Sequence, residues 1–308
     1  MPEGYGGPDS MAELEEVLSL LDKFQGSDRA QLSDDESLPS LIEECSRFSA
    51  EAPSAAPIRT IHHLACTGGT LISKVVAALS GVVLLSEIDP LSTMELSPQE
   101  PRFAPTDILL GLRQAARPVP DHVVVDTFRA SIGAMNDSLQ ALGHKLVLRD
   151  HAHSHFCTMI DSDARPTLRE MLRGLAPLRS LATIRHPLDS YTALKLNRWK
   201  EDFSPFTLEE YCLRFQSFIQ RHRDIPLVRY EDFVENPDII FMQICEILDL
   251  PFDTSAFDMI GSIRMTGDSG RSGTTIAKRA RRKLPRAIEM ERQSSIYRQT
   301  CIEFGYEA

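Results

Sequence analysis

From residue 58 onward, short apolar β-branched runs alternate with stretches whose apolar residues recur every three or four positions. The runs are 58–65 (IRTIHHLA), 82–86 (VVLLS), 122–126 (HVVVD), 145–149 (KLVLR), 181–185 (LATIR) and 226–230 (PLVRY), and each predicts a strand. Helical periodicity fills 70–80, 106–116, 131–142, 187–199, 207–222 and 238–249. Helix starts are marked as well: Thr207 with Glu210 spells a capping box, Asn236-Pro237 reads as N-cap and N1, and Pro187 follows the 181–185 run directly. Apolar strands alternating with amphipathic helices predict a three-layer α/β fold, a largely parallel sheet with helices on both faces. Ligands of such sheets sit at the C-terminal ends of the strands.

Before residue 56 the pattern changes. Leu14, Val17, Leu18 and Leu21 share one face of a predicted helix, and Leu41, Ile42, Cys45 and Phe48 share a shorter one. Pro53 to Pro57 reads as a linker, so residues 1–55 are expected to form a partly disordered helical extension to a domain spanning 56–308. Charge follows the same division. Residues 1–55 hold 13 acids and 3 bases, whereas Arg264 to Arg298 holds 10 Lys/Arg against three acids. A near-neutral body with a basic tail suits a small polyanion better than nucleic acid, whose binders are usually basic overall. Six scattered cysteines without a CxxC pair read as reduced cytoplasmic thiols. The N-terminus carries no secretory pattern, and the longest apolar run, Val75 to Leu85, is 11 residues, too short to span a bilayer.

Three places carry chemistry. The first strand runs into Cys66-Thr67-Gly68-Gly69-Thr70, and a helix begins at once with Leu71. Glycines that let backbone N–H groups converge at a helix N-terminus make an anion cradle, although no Walker lysine is present and Lys74 lies a turn inside the helix. Arg185 ends the fifth run just before a Pro-started helix, from where a guanidinium can fork two phosphate oxygens; Asp189 is placed to orient it or to cap the helix. Asp150-His151-Ala152-His153-Ser154-His155 follows the fourth run. Alternating histidines invite a metal reading, with His62 and His63 as the other candidates, but no partner has ligand spacing, so no metal is expected. One imidazole acting as general base is the better reading. Near the C-terminus, Thr266 to Gly273 is a Gly/Ser loop containing Gly270 and Arg271, suited to covering a phosphate.

In this order the pieces resemble the sulfotransferase family that uses 3′-phosphoadenosine 5′-phosphosulfate. The TGGT loop resembles its 5′-phosphosulfate loop. Leu146 to His151 stands where the family delivers a catalytic His. Arg185-His186-Pro187-Leu188-Asp189 is similar to its 3′-phosphate motif, and Val228 to Phe233 with Asn236-Pro237 and Leu248 to Pro251 to a later YEDL-type stretch. Gly267 to Arg271 resembles its C-terminal cofactor segment. The likeness spans roughly 58–285 and departs from the family twice. Cys66 stands where a basic residue is usual, and Ala193 where a Ser is usual, with Ser190, Tyr191 or Thr192 as substitutes.

The resemblance implies in-line sulfuryl transfer to a hydroxyl or amine. Cys66, Thr67, Gly68, Gly69, Thr70 and Leu71 would hold the 5′-phosphosulfate, and Arg185, Gly270 and Arg271 the 3′-phosphate. His151 would be the base with His153 as rival, and Arg149, His62 or His63 would supply the charge absent at 66. The mechanism requires no metal. The acceptor, a small molecule, lipid or glycan, would be met by 91–120 and 156–170, and the chain would act without nucleic acid, as a monomer or homodimer. Two alternatives stand: a non-catalytic nucleotide-binding or scaffold protein, supported by Cys66, and a P-loop phosphotransferase with Asp126 as its Walker B carboxylate.

Overall fold

The structure, a computed structural model, describes residues 55–94, 96, 103–196, 203–266, 276–278, 281 and 283–308. The helices expected before residue 53, the first two residues of the Pro53–Pro57 linker and the Gly270-Arg271 loop lie outside these residues.

Five strands form one parallel sheet: β1 (Ile58–His63), β2 (Val82–Ile88), β3 (Lys145–Asp150), β4 (Leu178–Ile184) and β5 (Leu227–Arg229), in the order β2-β3-β1-β4-β5. The first strand is therefore central. Its period-2 alternation sends Ile61 to one face and Ile58 to the other. On the Ile61 face, α1 (Gly69–Ala77) packs with Val147, Leu181 and the residues that follow β5. On the opposite face lie α2 (Ile108–Arg113), α3 (Asp121–Ala141), α4 (Ala152–Phe156), α5 (Leu168–Leu172), α6 (Pro187–Leu196) and α7 (Leu208–Arg221), which bury Phe128, Ile132, Leu172, Phe156, Leu188 and Phe218 with Leu148 and Ala182. The predicted three-layer α/β arrangement is the one observed.

The helix signals act locally. Thr207 accepts from the Glu210 amide at the start of α7, whose buried Leu208, Tyr211, Cys212, Phe215, Phe218 and Ile219 follow helical spacing. After β5 come α8 (Tyr230–Glu235), α9 (Pro237–Leu248) and α10 (Ala256–Met259). Pro237 opens α9 at N1 as expected, but the Asn236 side chain makes no capping bond. A full capping box closes instead at Thr167 and Glu170, before α5. The C-terminus adds α11 (Arg286–Glu291) and α12 (Ser295–Glu303).

One predicted strand is wrong. Residues 122–126 are the first turns of the 21-residue α3. Three consecutive valines match a strand by composition, yet the buried positions of this element are Val124, Phe128, Ile132 and Asn136, four apart throughout. The helical period extends across the whole element, and a five-residue window sees too little of it. Asn136 then donates from Nδ2 to the Ala56 carbonyl at 2.9 Å, tying the chain just before β1 to this helix.

Candidate functional site

Strand order creates the crevice. The connection leaving β1 runs toward β2, whereas that leaving β4 runs to the other side, toward β5. Between the C-terminal ends of β1 and β4 the connections diverge, the position where parallel sheets bind ligands. The β1–α1 loop and Arg185 meet there: the Arg185 guanidinium donates to the Cys66 carbonyl at 3.4 Å and stacks 4.9 Å over the Tyr230 ring.

The loop is built tightly. Thr67 is fully buried and donates its hydroxyl to the Leu64 carbonyl at 2.8 Å, while Tyr211 from α7 donates to the Ala65 carbonyl at 2.9 Å. Gly68 caps α1 at φ 86°, a left-handed conformation, and a Cβ there would overlap the Tyr230 ring. A Cβ on Gly69 would overlap the His63 ring. The glycines thus bring the loop down onto two aromatic rings, and Gly68 at the N-cap position has no side chain to offer α1. Cys66 also adopts a left-handed backbone, φ 62°, which is strained for a residue with a Cβ. Leu71, in the first turn of α1, is half-buried against the apolar core beneath the helix.

Behind the loop sits Arg149, whose side chain is 2% exposed at the end of β3. It donates to Thr70 Oγ1 at 2.9 Å, to His63 Nε2 at 2.7 Å, to Ser86 Oγ at 2.7 Å and to the Thr266 carbonyl at 3.1 Å. It also pairs with Glu87 Oε1 at 2.6 Å. His63 therefore accepts at Nε2, and burial together with the Arg149 cation holds its pKa well below the ordinary imidazole value. Thr266 is fixed to β2 through reciprocal bonds with Ser86, so the segment entering the Gly/Ser loop starts at this rim.

Of the alternating histidines, His151 lies beside this group. Its side chain is 25% exposed and its Nε2 stands 3.3 Å from Glu87 Oε2. His153 is buried, and burial followed by the neighbouring His151 pushes its pKa down to about 4. His155 stacks on Phe156 and donates from Nε2 to the Ser162 carbonyl at 2.8 Å, away from the loop.

Sequence reading and geometry part at Asp189. Asp189 does not orient Arg185; it pairs with Arg281, Nε to Oδ1 at 2.8 Å, because the first turn of α6 points it toward the C-terminal segment. Ser190, Tyr191 and Thr192, offered as substitutes for the Ser absent at 193, are all buried in α6, and Tyr191 donates its hydroxyl to the Phe206 carbonyl in the core. The reading also missed Glu87, His63 as the partner of Arg149, and Tyr230. The available signal for Glu87 was the polar Ser86-Glu87 pair ending an apolar strand. A register shift between Leu85 and Ile88 and a φ of 60° at Glu87 then aim its carboxylate at Arg149 and His151.

On the other face of β1 and β3 a separate buried group forms. His62 donates from Nδ1 to Asp150 Oδ2 at 2.7 Å and accepts from Thr60 at 2.8 Å, and Thr60 bonds Ser180 at 2.7 Å. Burial pushes the His62 pKa down to about 3 and that of Asp150 up to about 6.

No protein-family model and no curated protein matches this chain. Solved structures similar to it include the sulfotransferase domain from the curacin biosynthetic pathway, at 16% identity over 82% of this chain and 99% of that one, with a TM-score of 0.48. The sulfotransferase domain from the Synechococcus PCC 7002 olefin synthase matches at 17% identity over 84% and 98%, TM-score 0.49. Mouse sulfotransferase SULT7A1 complexed with PAP matches at 11% identity over 80% and 85%, TM-score 0.39. Among the described residues no helix is long and apolar enough to cross a membrane.

Proposed function

We propose that this chain moves a sulfuryl group from 3′-phosphoadenosine 5′-phosphosulfate to a hydroxyl acceptor. The observation that carries the reading is the meeting, at the diverging strand ends, of a glycine loop leading into α1, a stacked Arg185 and the Arg149–Glu87–His151 group. In this reading the backbone N–H groups at the start of α1 hold the 5′-phosphosulfate, and Arg185 with Arg271 holds the 3′-phosphate. Arg149 sets a cation behind Thr70 and so stands in for the basic residue absent at 66. His151 Nε2 faces Glu87, so in this reading Nδ1 is the atom that accepts the acceptor's hydroxyl proton, and Glu87 then balances the imidazolium. As the sulfur–oxygen bond to the nucleotide breaks, charge develops on the departing phosphate, which the helix end and Arg149 stabilise.

Calorimetry tests the binding half. Adenosine 3′,5′-bisphosphate is expected to bind on the order of 10–100-fold more tightly than adenosine 5′-monophosphate, the worth of a charge-assisted bidentate contact. Equal affinities would overturn the 3′-phosphate assignment. Release of the bisphosphate in the presence of a panel of hydroxyl and amine acceptors tests the transfer. Tight binding without release for any of them would favour the non-catalytic reading that Cys66 supports.

A further inference from the structure

The proposed reaction makes no use of the buried polar group behind β1 and β3. Among the described residues, one group of His, Cys, Asp or Glu side chains is close enough to share an ion: His62, Asp150 and His222, with one donor atom from each lying within 4.8 Å of the others. They come from three elements: His62 and Asp150 from the C-terminal ends of adjacent strands β1 and β3, His222 from the residue that closes α7. His62 and His222 are fully buried and Asp150 nearly so, and the two imidazole centroids lie 4.6 Å apart.

Two features separate this group from an ordinary core hydrogen-bond network. His222 is pinned by its Nδ1, which donates to the Phe218 carbonyl at 2.8 Å, and its buried Nε2 has no hydrogen-bond partner among the described residues. A buried acceptor left in that state sacrifices its hydration for nothing, unless a ligand takes its lone pair. The second feature is that the non-converging nitrogen of each imidazole is already held by a neutral oxygen: Phe218 O for His222, Thr60 Oγ1 for His62. Backing of this kind fixes the orientation and tautomer of metal-binding histidines.

We propose that His62 Nδ1, Asp150 Oδ2 and His222 Nε2 bind a first-row divalent transition metal ion. Two imidazoles and one carboxylate suit zinc, cobalt or ferrous iron, whereas magnesium and calcium call for oxygen donors. Donors about 2.0–2.2 Å from a tetrahedral ion stand about 3.3–3.6 Å apart, so the 2.7 Å His62–Asp150 pair has to open by about 0.6–0.9 Å and His222 to move inward. The Thr60–Ser180 hydroxyl pair can reverse its direction, since either oxygen can donate. Binding then moves the His62 proton from Nδ1 to Nε2, where it is donated to Thr60, and no heavy atom in that chain needs to shift. Water completes the coordination, as in other three-ligand sites. The bound ion stabilises the folded chain, because only there do these three donors converge. It ties α7 to β1 and β3 directly behind His63 and Arg149.

The experiment uses the full chain. After dialysis against a chelator it is titrated with cobalt, read by visible absorption, and with zinc in competition with a chromophoric chelator. The same titrations are run on His222→Gln, Asp150→Asn and the exposed control His122→Gln. One saturable equivalent is expected for the wild type and for His122→Gln, with the other two weakened by on the order of 100-fold or more. X-ray absorption of the zinc-loaded wild type, expected to show two imidazoles with oxygen donors, decides the case if the cluster variants fail to fold. The proposal is overturned if the wild type has no saturable equivalent, if folded His222→Gln and Asp150→Asn bind as wild type does, or if the absorption spectrum lacks imidazole.

Discussion

His151→Ala is expected to separate turnover from nucleotide affinity. Its imidazole stands next to Glu87 rather than in the β1–α1 loop, so calorimetry should give wild-type affinity for adenosine 3′,5′-bisphosphate. Turnover should fall on the order of 10²–10⁴-fold, the usual loss for a general base. Equal losses in both would move His151 into the nucleotide pocket, and unchanged turnover would remove it from the reaction. Gly68 carries a different expectation. Alanine there must hold φ 86° and overlap the Tyr230 ring, so Gly68→Ala should lower stability by about 1–3 kcal/mol in denaturant melts and weaken nucleotide binding as the loop lifts. A fully stable, tightly binding variant would show that the loop does not need its seat on Tyr230. Both glycines were conspicuous in the sequence. Their reason was not, since the rings they avoid belong to His63 and to Tyr230, the latter about 160 residues away.

At the scale of elements, one ion pair fastens the end of β2. Asp89 accepts from Arg165 through both carboxylate oxygens, at 2.7 and 2.8 Å, and also from the Ser154 hydroxyl in α4. Burial alone would raise the Asp89 pKa, but the Arg165 guanidinium and Ser154 prevail and hold it below the ordinary value. A carboxylate with a lowered pKa in the folded state adds stability that is complete above its unfolded pKa, about 3.9, and is lost as pH falls through its folded value. Arg165→Met leaves that charge buried and unpaired, and is expected to cost about 3–5 kcal/mol at neutral pH, measured by urea unfolding. Asp89 then titrates higher in the folded state, so the deficit relative to wild type should shrink on acidification. A deficit constant from pH 7 to pH 3 would show that packing by Arg165, rather than its charge, is what the pair contributes.

Over the whole molecule, the charge division makes a prediction about residues 1–53. They carry nearly all of the net charge of −11 yet contain none of the residues assigned to phosphate. A chain beginning at Ser54 keeps Ala56 and its bond to Asn136, and is expected to unfold cooperatively and to bind the bisphosphate as the full chain does. Loss of cooperative unfolding would make the N-terminal residues part of the core. The strand and helix alternation, the loop after β1 and the placing of Arg185 before a Pro-started helix were legible in the chain, because each depends on neighbours within a turn or a strand. Where the local period was ambiguous, as at Val123 to Val125, the reading failed, and burial on a 21-residue helix settled it. Other features depend on strand order, which brings β1 between β3 and β4. That order set Arg149 behind Thr70 and brought His151 rather than His155 beside Glu87. It also brought His62 and Asp150 against His222, 160 positions beyond His62. Local periodicity specifies which residues form a strand and which face they occupy; which distant side chains share that face follows only from packing the whole chain.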